Sequence, residues 1–115
     1  MPGGGKEKSL IEIELLRQYS KAENIVVTAH SRKRLLERGI LLRDIMQVIA
    51  FGEIIEQYPE DYPFPSALLL GMSVNGKYLH VVLSMDGQTI YLITAYHPDP
   101  EAWEPDMKTR KERKL

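Results

Sequence analysis

The sequence contains no cysteine, which excludes a disulfide scaffold, a thiolate metal site and a cysteine nucleophile. Long hydrophobic runs are missing too. No apolar stretch approaches the roughly 20 residues of a membrane span, so no membrane association is expected. The N-terminal stretch shows no signal-peptide h-region, and a cytoplasmic location is the expectation. Neither sign of charge is in excess: the formal net charge is −1. That argues against gross attraction to nucleic acid while leaving room for a local basic patch. There is no glycine-rich phosphate loop and no serine nucleophile elbow. The three histidines are far apart and form no His-x-His or His-x3-His pair, so neither a metal site nor another cofactor is expected.

What is present is enough for one domain. At 115 residues, with 43% hydrophobic and 27% charged residues, the chain can bury a single core. The expected division is a disordered stretch over 1–8, one α+β domain over 9–103 and a basic tail over 104–115.

The stretch from Ser66 to His97 organises the rest. Asn75-Gly76 and Asp86-Gly87 are strong hairpin signals, because Asn, Asp and Gly tolerate the positive φ of a type I′ turn. They predict a three-strand antiparallel meander. With two-residue turns at both places, Leu70 pairs with Val81 and Leu83 with Ile90. One face then carries Leu68, Leu70, Met72, Leu79, Val81, Leu83, Ile90 and Leu92, and is buried. The other carries Gly71, Ser73, Tyr78, His80, Val82, Tyr91 and Ile93, with Gly71 opposite His80 and open space beside the imidazole.

The flanking segments supply the cover. Ser9 and Glu12 match a capping box opening a helix from Leu10 to Lys21. Ile25–Thr28 reads as an edge strand. Thr28 caps a helix over 29–38 that Gly39 ends, with Leu35 and Leu36 toward the core and His30, Arg34 and Arg38 in a ladder along one side. A third helix spans 42–51 and buries Ile45, Val48 and Ile49, with no side chain in evidence for its N-cap. A strand follows at Glu53–Glu56, then a loop from Tyr58 to Pro65 stiffened by three prolines. Pro98-Asp99-Pro100 ends the last strand, Trp103 anchors the chain after it, and Lys108 to Lys114 is helical or frayed. The fold class is α+β: N-terminal helices against one face of an antiparallel sheet of about four strands.

Charge is segregated. Five basic residues and one acidic lie between Arg32 and Arg43, and four acidic residues and no basic ones between Glu53 and Asp61. Histidine is the side chain that titrates near neutrality unperturbed, so His80 and His30 are candidates for acid–base chemistry, against the plainer reading of a strand and a helix surface residue. His97 reads as solvent-facing. Arg34 and Arg38 could hold phosphates or pair with the acidic run. Tyrosines such as Tyr58 and Tyr62 could stack on bases or simply fill space.

Thr28-Ala29-His30, Arg38-Gly39-Ile40, the run Gly52 to Pro59, Pro65-Ser66, Leu70-Gly71, Leu79 to Val82, Ile93 to Pro100, Trp103 and Lys108 to Lys111 together resemble the bacterial family called domain of unknown function 4258, over almost everything from Leu10 onward. The resemblance implies a fold similar to RelE-like and barnase-like ribonucleases. It also implies a toxin of a toxin–antitoxin pair, acting on RNA and held by a small zinc-finger or helix-turn-helix antitoxin. His30, Arg34, Arg38, Tyr58, His80 and Tyr96 fall in the matching motifs, and His97 departs from them. The expected activity is metal-independent RNA cleavage: His80 and His30 as base and acid, Tyr96 beside them, Arg34 and Arg38 on the phosphate, Tyr58 or Tyr62 on a base. The alternatives are a non-enzymatic protein-binding or regulatory module, or an orphan domain without activity. In strict register Tyr96 falls on the core face, so a catalytic role there requires a bulge.

Overall fold

The computed structural model describes residues 10–112. The expected disorder over 1–8 and the capping role of Ser9 lie outside the described residues. Three helices pack with a five-stranded sheet, in the order α1 (Ile13–Tyr19), β1 (Ile25–Val27), α2 (Ala29–Arg38), α3 (Leu42–Phe51), β2 (Glu53–Tyr58), β3 (Ser66–Met72), β4 (Tyr78–Asp86) and β5 (Thr89–Tyr96). The strand order is β1-β5-β4-β3-β2. β1 runs parallel to β5 and the other neighbours are antiparallel. The α+β class expected from sequence holds. No helix among the described residues is long and apolar enough to cross a membrane.

The ends of α2 and α3 have chemical causes. α1 begins at Ile13 behind Glu12, shorter at both ends than the expected span. Thr28 caps α2 by accepting from the Ser31 N–H, and Gly39 closes it at φ 69°. The N-cap of α3 is supplied from within: Asp44 accepts from the Leu41 N–H at 2.9 Å, and its other oxygen takes the Val74 N–H at 2.8 Å. At the far end Arg17 donates to the carbonyls of Ile49 and Gly52, both at 3.0 Å, groups that the end of a helix leaves without an intrahelical partner.

The register of β3 differs from expectation by one residue. Leu70 pairs with His80, and Gly71 with Leu79. The turn holds three residues, Val74 to Gly76, closed by a Ser73 N–H to Lys77 carbonyl bond at 2.8 Å, with Gly76 at φ 79°; the left-handed glycine makes the longer turn fit. The odd count turns β3 over. Ala67 and Leu69, not Leu68, Leu70 and Met72, join Leu79, Val81 and Leu83 in the core beneath the helices. Met72 is exposed. Gly71 therefore lies under α3, where an added Cβ would stand 3.0 Å from Val48; the open space expected beside His80 is not there.

The second turn shifts by two, pairing Asp86 with Thr89 and Leu83 with Leu92, which preserves the faces. Between Leu92 and Thr94 the register slips again, and this bulge brings Tyr96 opposite His80. A bulge adds one residue to one strand and reverses which side its later residues face, so Tyr96 leaves the core side.

Beyond the three pairs with β1, the edge of β5 is covered by α2. Ser31 donates to the Ile93 carbonyl at 3.2 Å and Arg38 to the Ala95 carbonyl at 2.8 Å. The stripe of α2 that meets the sheet is thus Ser31, Leu35 and Arg38. Leu36, expected in the core, stands 100° around the helix from Leu35 and is exposed.

Candidate functional site

The face of the sheet away from the helices carries three cross-strand rows: Leu70–His80–Tyr96, Glu56–Leu68–Val82–Thr94 and Tyr58–Ser66–Ser84–Tyr91. The chain after β5 returns over part of this face. It is no helix among the described residues. Trp103 bridges to Arg110 as an antiparallel pair, Glu104 N–H bonds the Thr109 carbonyl at 2.8 Å, and Met107 takes φ 60° at the tip. Asp106 stabilises the tip by accepting from the backbone of Lys108 and Thr109 and from the Thr109 hydroxyl, which lowers its pKa.

His80 lies beneath this hairpin with no exposed surface. The Trp103 ring meets it edge-on at 4.5 Å between centroids, and Tyr96 at 5.4 Å. Its Nε2 is 2.7 Å from the Met107 carbonyl. A carbonyl can only accept, so Nε2 carries the proton. Nδ1 is then a bare acceptor, and it is buried without a hydrogen-bond partner among the described residues. Burial pushes the imidazole pKa down; the Met107 bond and the nearby Glu56 carboxylate oppose that, and Arg110 adds to it. His80 is therefore neutral at pH 7.

Beside it, Arg110 clasps Glu56 with two bonds, Nε to Oε2 at 2.8 Å and Nη2 to Oε1 at 3.0 Å, and lies over the Trp103 ring at 4.5 Å. The Tyr58 hydroxyl donates to the same carboxylate. Arg110 holds the Glu56 pKa down against burial, while burial and the bond to Glu56 push the Tyr58 phenol up to about 12. Burial also raises Tyr96. A second ion pair, Lys108 to Glu53 at 3.3 Å, joins tail and sheet. Within the acidic run, Glu53 and Glu56 are thus partnered by the tail, while Asp61 accepts from Ser66.

Of the residues singled out in the sequence, the structure brings together Tyr58, His80 and Tyr96. His30 is exposed in the first turn of α2 and is not among the groups against His80. Arg34 is exposed on the same helix. Arg38 reaches round the β5 edge, where it also meets Thr94 Oγ1 at 3.3 Å, at the rim of the His80 face. Tyr62 is 95% exposed in the loop before β3. His97 is exposed and its Nδ1 meets the Tyr78 carbonyl at 3.1 Å. Glu56, Met107 and Arg110 were not read as site residues, and Trp103 only as an anchor; the opposed charges of Glu53–Asp61 and Lys108–Lys114 were the available signal. No group of three or more His, Asp or Glu among the described residues has the arrangement of a metal site.

Comparison with curated proteins and comparison with solved structures each return no match. A family profile matches residues 27–97, from the end of β1 through β5. This is narrower than the span of the resemblance; it takes in Glu56, Tyr58, His80 and Tyr96 and leaves out Trp103, Met107 and Arg110. The match covers more than half of the sequence, and the chain belongs to the family described as domain of unknown function DUF4258.

Proposed function

We propose that the protein is a toxin-like, metal-independent ribonuclease whose site is the His80 face of the sheet. The carrying observation is the buried, unpartnered Nδ1 of a neutral imidazole, set in a cluster of phenols, carboxylate and guanidinium. Such cleavage needs a base to take the ribose 2′-OH proton, cations at the phosphate and an acid for the leaving 5′-oxygen. His80 Nδ1 is the base. With His30 outside the cluster, the acid is Tyr96, a phenol whose raised pKa keeps it protonated at pH 7. Arg38 at the rim supplies positive charge. The 2′-oxygen bonds to phosphorus, the P–O5′ bond breaks, and the products end in a 2′,3′-cyclic phosphate and a 5′-hydroxyl.

The reading requires residues 103–110 to lift from His80. Lifting breaks the Lys108–Glu53 pair, exposed on both sides and worth about 0–1 kcal/mol, and also gives up the Arg110–Glu56 clasp, the Met107–His80 bond and the packing of Trp103, which a bound RNA strand has to replace. The test is cleavage of mixed RNA in EDTA. Wild type should cut and leave cyclic phosphate ends; His80→Ala, shown folded by circular dichroism, should not. Equal cleavage by both overturns the mechanism.

A second reading has its own observation. Phe51, at the end of α3, is 84% exposed beside a cavity of about 630 Å³ lined also by Arg43, Met46 and Val74. A large exposed aromatic over a cavity suits a protein partner, whether an antitoxin on a ribonuclease or the ligand of a non-enzymatic binding module. Growth arrest on expression that disappears in His80→Ala favours the ribonuclease; a stable complex with a neighbouring gene product and no growth arrest favours the module.

A further inference from the structure

We infer that the cleft between the start of α2, the proline-stiffened loop before β3 and the β4–β5 ladder is a nucleotide-binding site that takes a base between aromatic rings. The inference deepens the ribonuclease reading, on which it rests for its physiological occupant, one nucleotide of an RNA strand.

The cleft has a volume of about 630 Å³, within the range of small-molecule sites and ample for a nucleoside. One wall is flat and aromatic: Phe64 stacks on Tyr91 with centroids 5.7 Å apart and planes at 11°. Tyr62 lines the same cleft and is 95% exposed. Its loop is held in place at Pro59, Pro63 and Pro65, each with φ fixed by its ring. A rigidly presented, bare aromatic ring beside a stacked pair is the arrangement on which bases stack without strong sequence preference.

Polar groups sit where a base edge needs them. Ser84, a buried residue, lines the cleft together with Tyr91, and each brings a hydroxyl that can donate or accept. The exposed Asp61 carboxylate accepts from the Ser66 hydroxyl and keeps lone pairs free for base N–H groups. The positive charge comes from α2, whose first turn borders the cleft and which carries Arg32, Lys33, Arg34 and Arg38 against one acid, Glu37.

The cleft is also placed to serve the candidate active site. Ser84 and His80 are on one face of β4, four residues apart, a span of roughly 13 Å at the rise of a strand. Tyr58 lies in the Ser84 row and bonds Glu56 in the next. A short oligonucleotide could therefore rest its base in the cleft while a neighbouring phosphodiester lies over His80.

The experiment is a titration of the full chain with each of the four nucleoside 5′-monophosphates and with a six-nucleotide RNA, followed by amide resonances. Saturable shifts are expected at residues 61, 62, 64, 84 and 91–93. Tyr62→Ala removes an exposed side chain and leaves folding intact; it should weaken binding about tenfold, the size of one base–aromatic stack. No saturable shift with any of the five probes, or equal binding by Tyr62→Ala, overturns the cleft. RNA cleavage with no nucleotide binding overturns the cleft alone; binding in the cleft with no cleavage keeps it and overturns the ribonuclease.

Discussion

The Nε2 of His80 and the carbonyl of Met107 meet at 2.7 Å across 27 residues of sequence. This bond ties the chain end to the middle of the central strand and fixes which imidazole nitrogen carries the proton. The Trp103 ring, 4% exposed, packs over the same histidine. Trp103→Ala should therefore cost about 3 kcal/mol, as truncations of buried large aromatics do, and should open His80 to a histidine-modifying reagent that leaves it untouched in the wild type. Urea denaturation and mass mapping of the modified residue check both. Unchanged stability with an unreactive His80 would mean that the hairpin is held by something else.

Stability should fall as acid is added, in two separate windows. The His80 pKa is depressed in the folded chain, chiefly by burial. Above the unfolded value of about 6.5 neither state binds the proton and stability is full. Below it the unfolded chain takes up a proton that the folded chain refuses, and stability drops until pH passes the folded pKa. Glu56 is depressed as well, but its contribution is present above about 4.3, the unfolded carboxylate value, and is lost only below it. Chemical denaturation at pH 7.5, 6 and 5 should show a decline that His80→Gln removes and Glu56→Gln does not.

Gly71 gives a test of the strand register. Its hydrogen faces α3, and a methyl there would lie 3.0–3.1 Å from Val48, a residue with no exposed surface. Overpacking of this kind costs about 1–3 kcal/mol. Gly71→Ala should lower the melting temperature while leaving the surroundings of His80 unchanged by its imidazole resonances. Had Gly71 faced His80, the same change would move those resonances and be mild in stability.

The parts legible in the sequence were those with local causes. Thr28, Gly39 and Gly52 mark the ends of α2 and α3 where the structure has them, because caps act on their own helix. The pairing of β3 was not legible. Ser66 to Leu70 is buried at every position, so no alternation says which side faces the helices, and one extra turn residue decides it. His80, Tyr58 and Tyr96 could be named from residue type, and the bulge needed to turn Tyr96 could be foreseen as a condition. The groups that complete the cluster could not be named. Glu56 and Arg110 are 54 residues apart, and only the folded sheet brings that glutamate to the tail.

Tyr58 reports on that cluster without any assay of activity. Its phenol is pushed up to about 12, first by burial and then by the bond to the Glu56 carboxylate; the loss of a proton would put a second negative charge against the first. An alkaline titration followed by tyrosinate absorbance should show one of the six tyrosines ionising near 12. Glu56→Gln removes the charge and keeps the shape, so that tyrosine should come part of the way down, burial remaining. Arg110→Ala works in the opposite sense, since the guanidinium near Tyr58 partly offsets the carboxylate: the phenol should titrate higher still. A Tyr58 that ionises near 10 in the wild type would show that Glu56 and Tyr58 do not share a proton in solution, and the cluster would lose the link between its acidic strand and the His80 row.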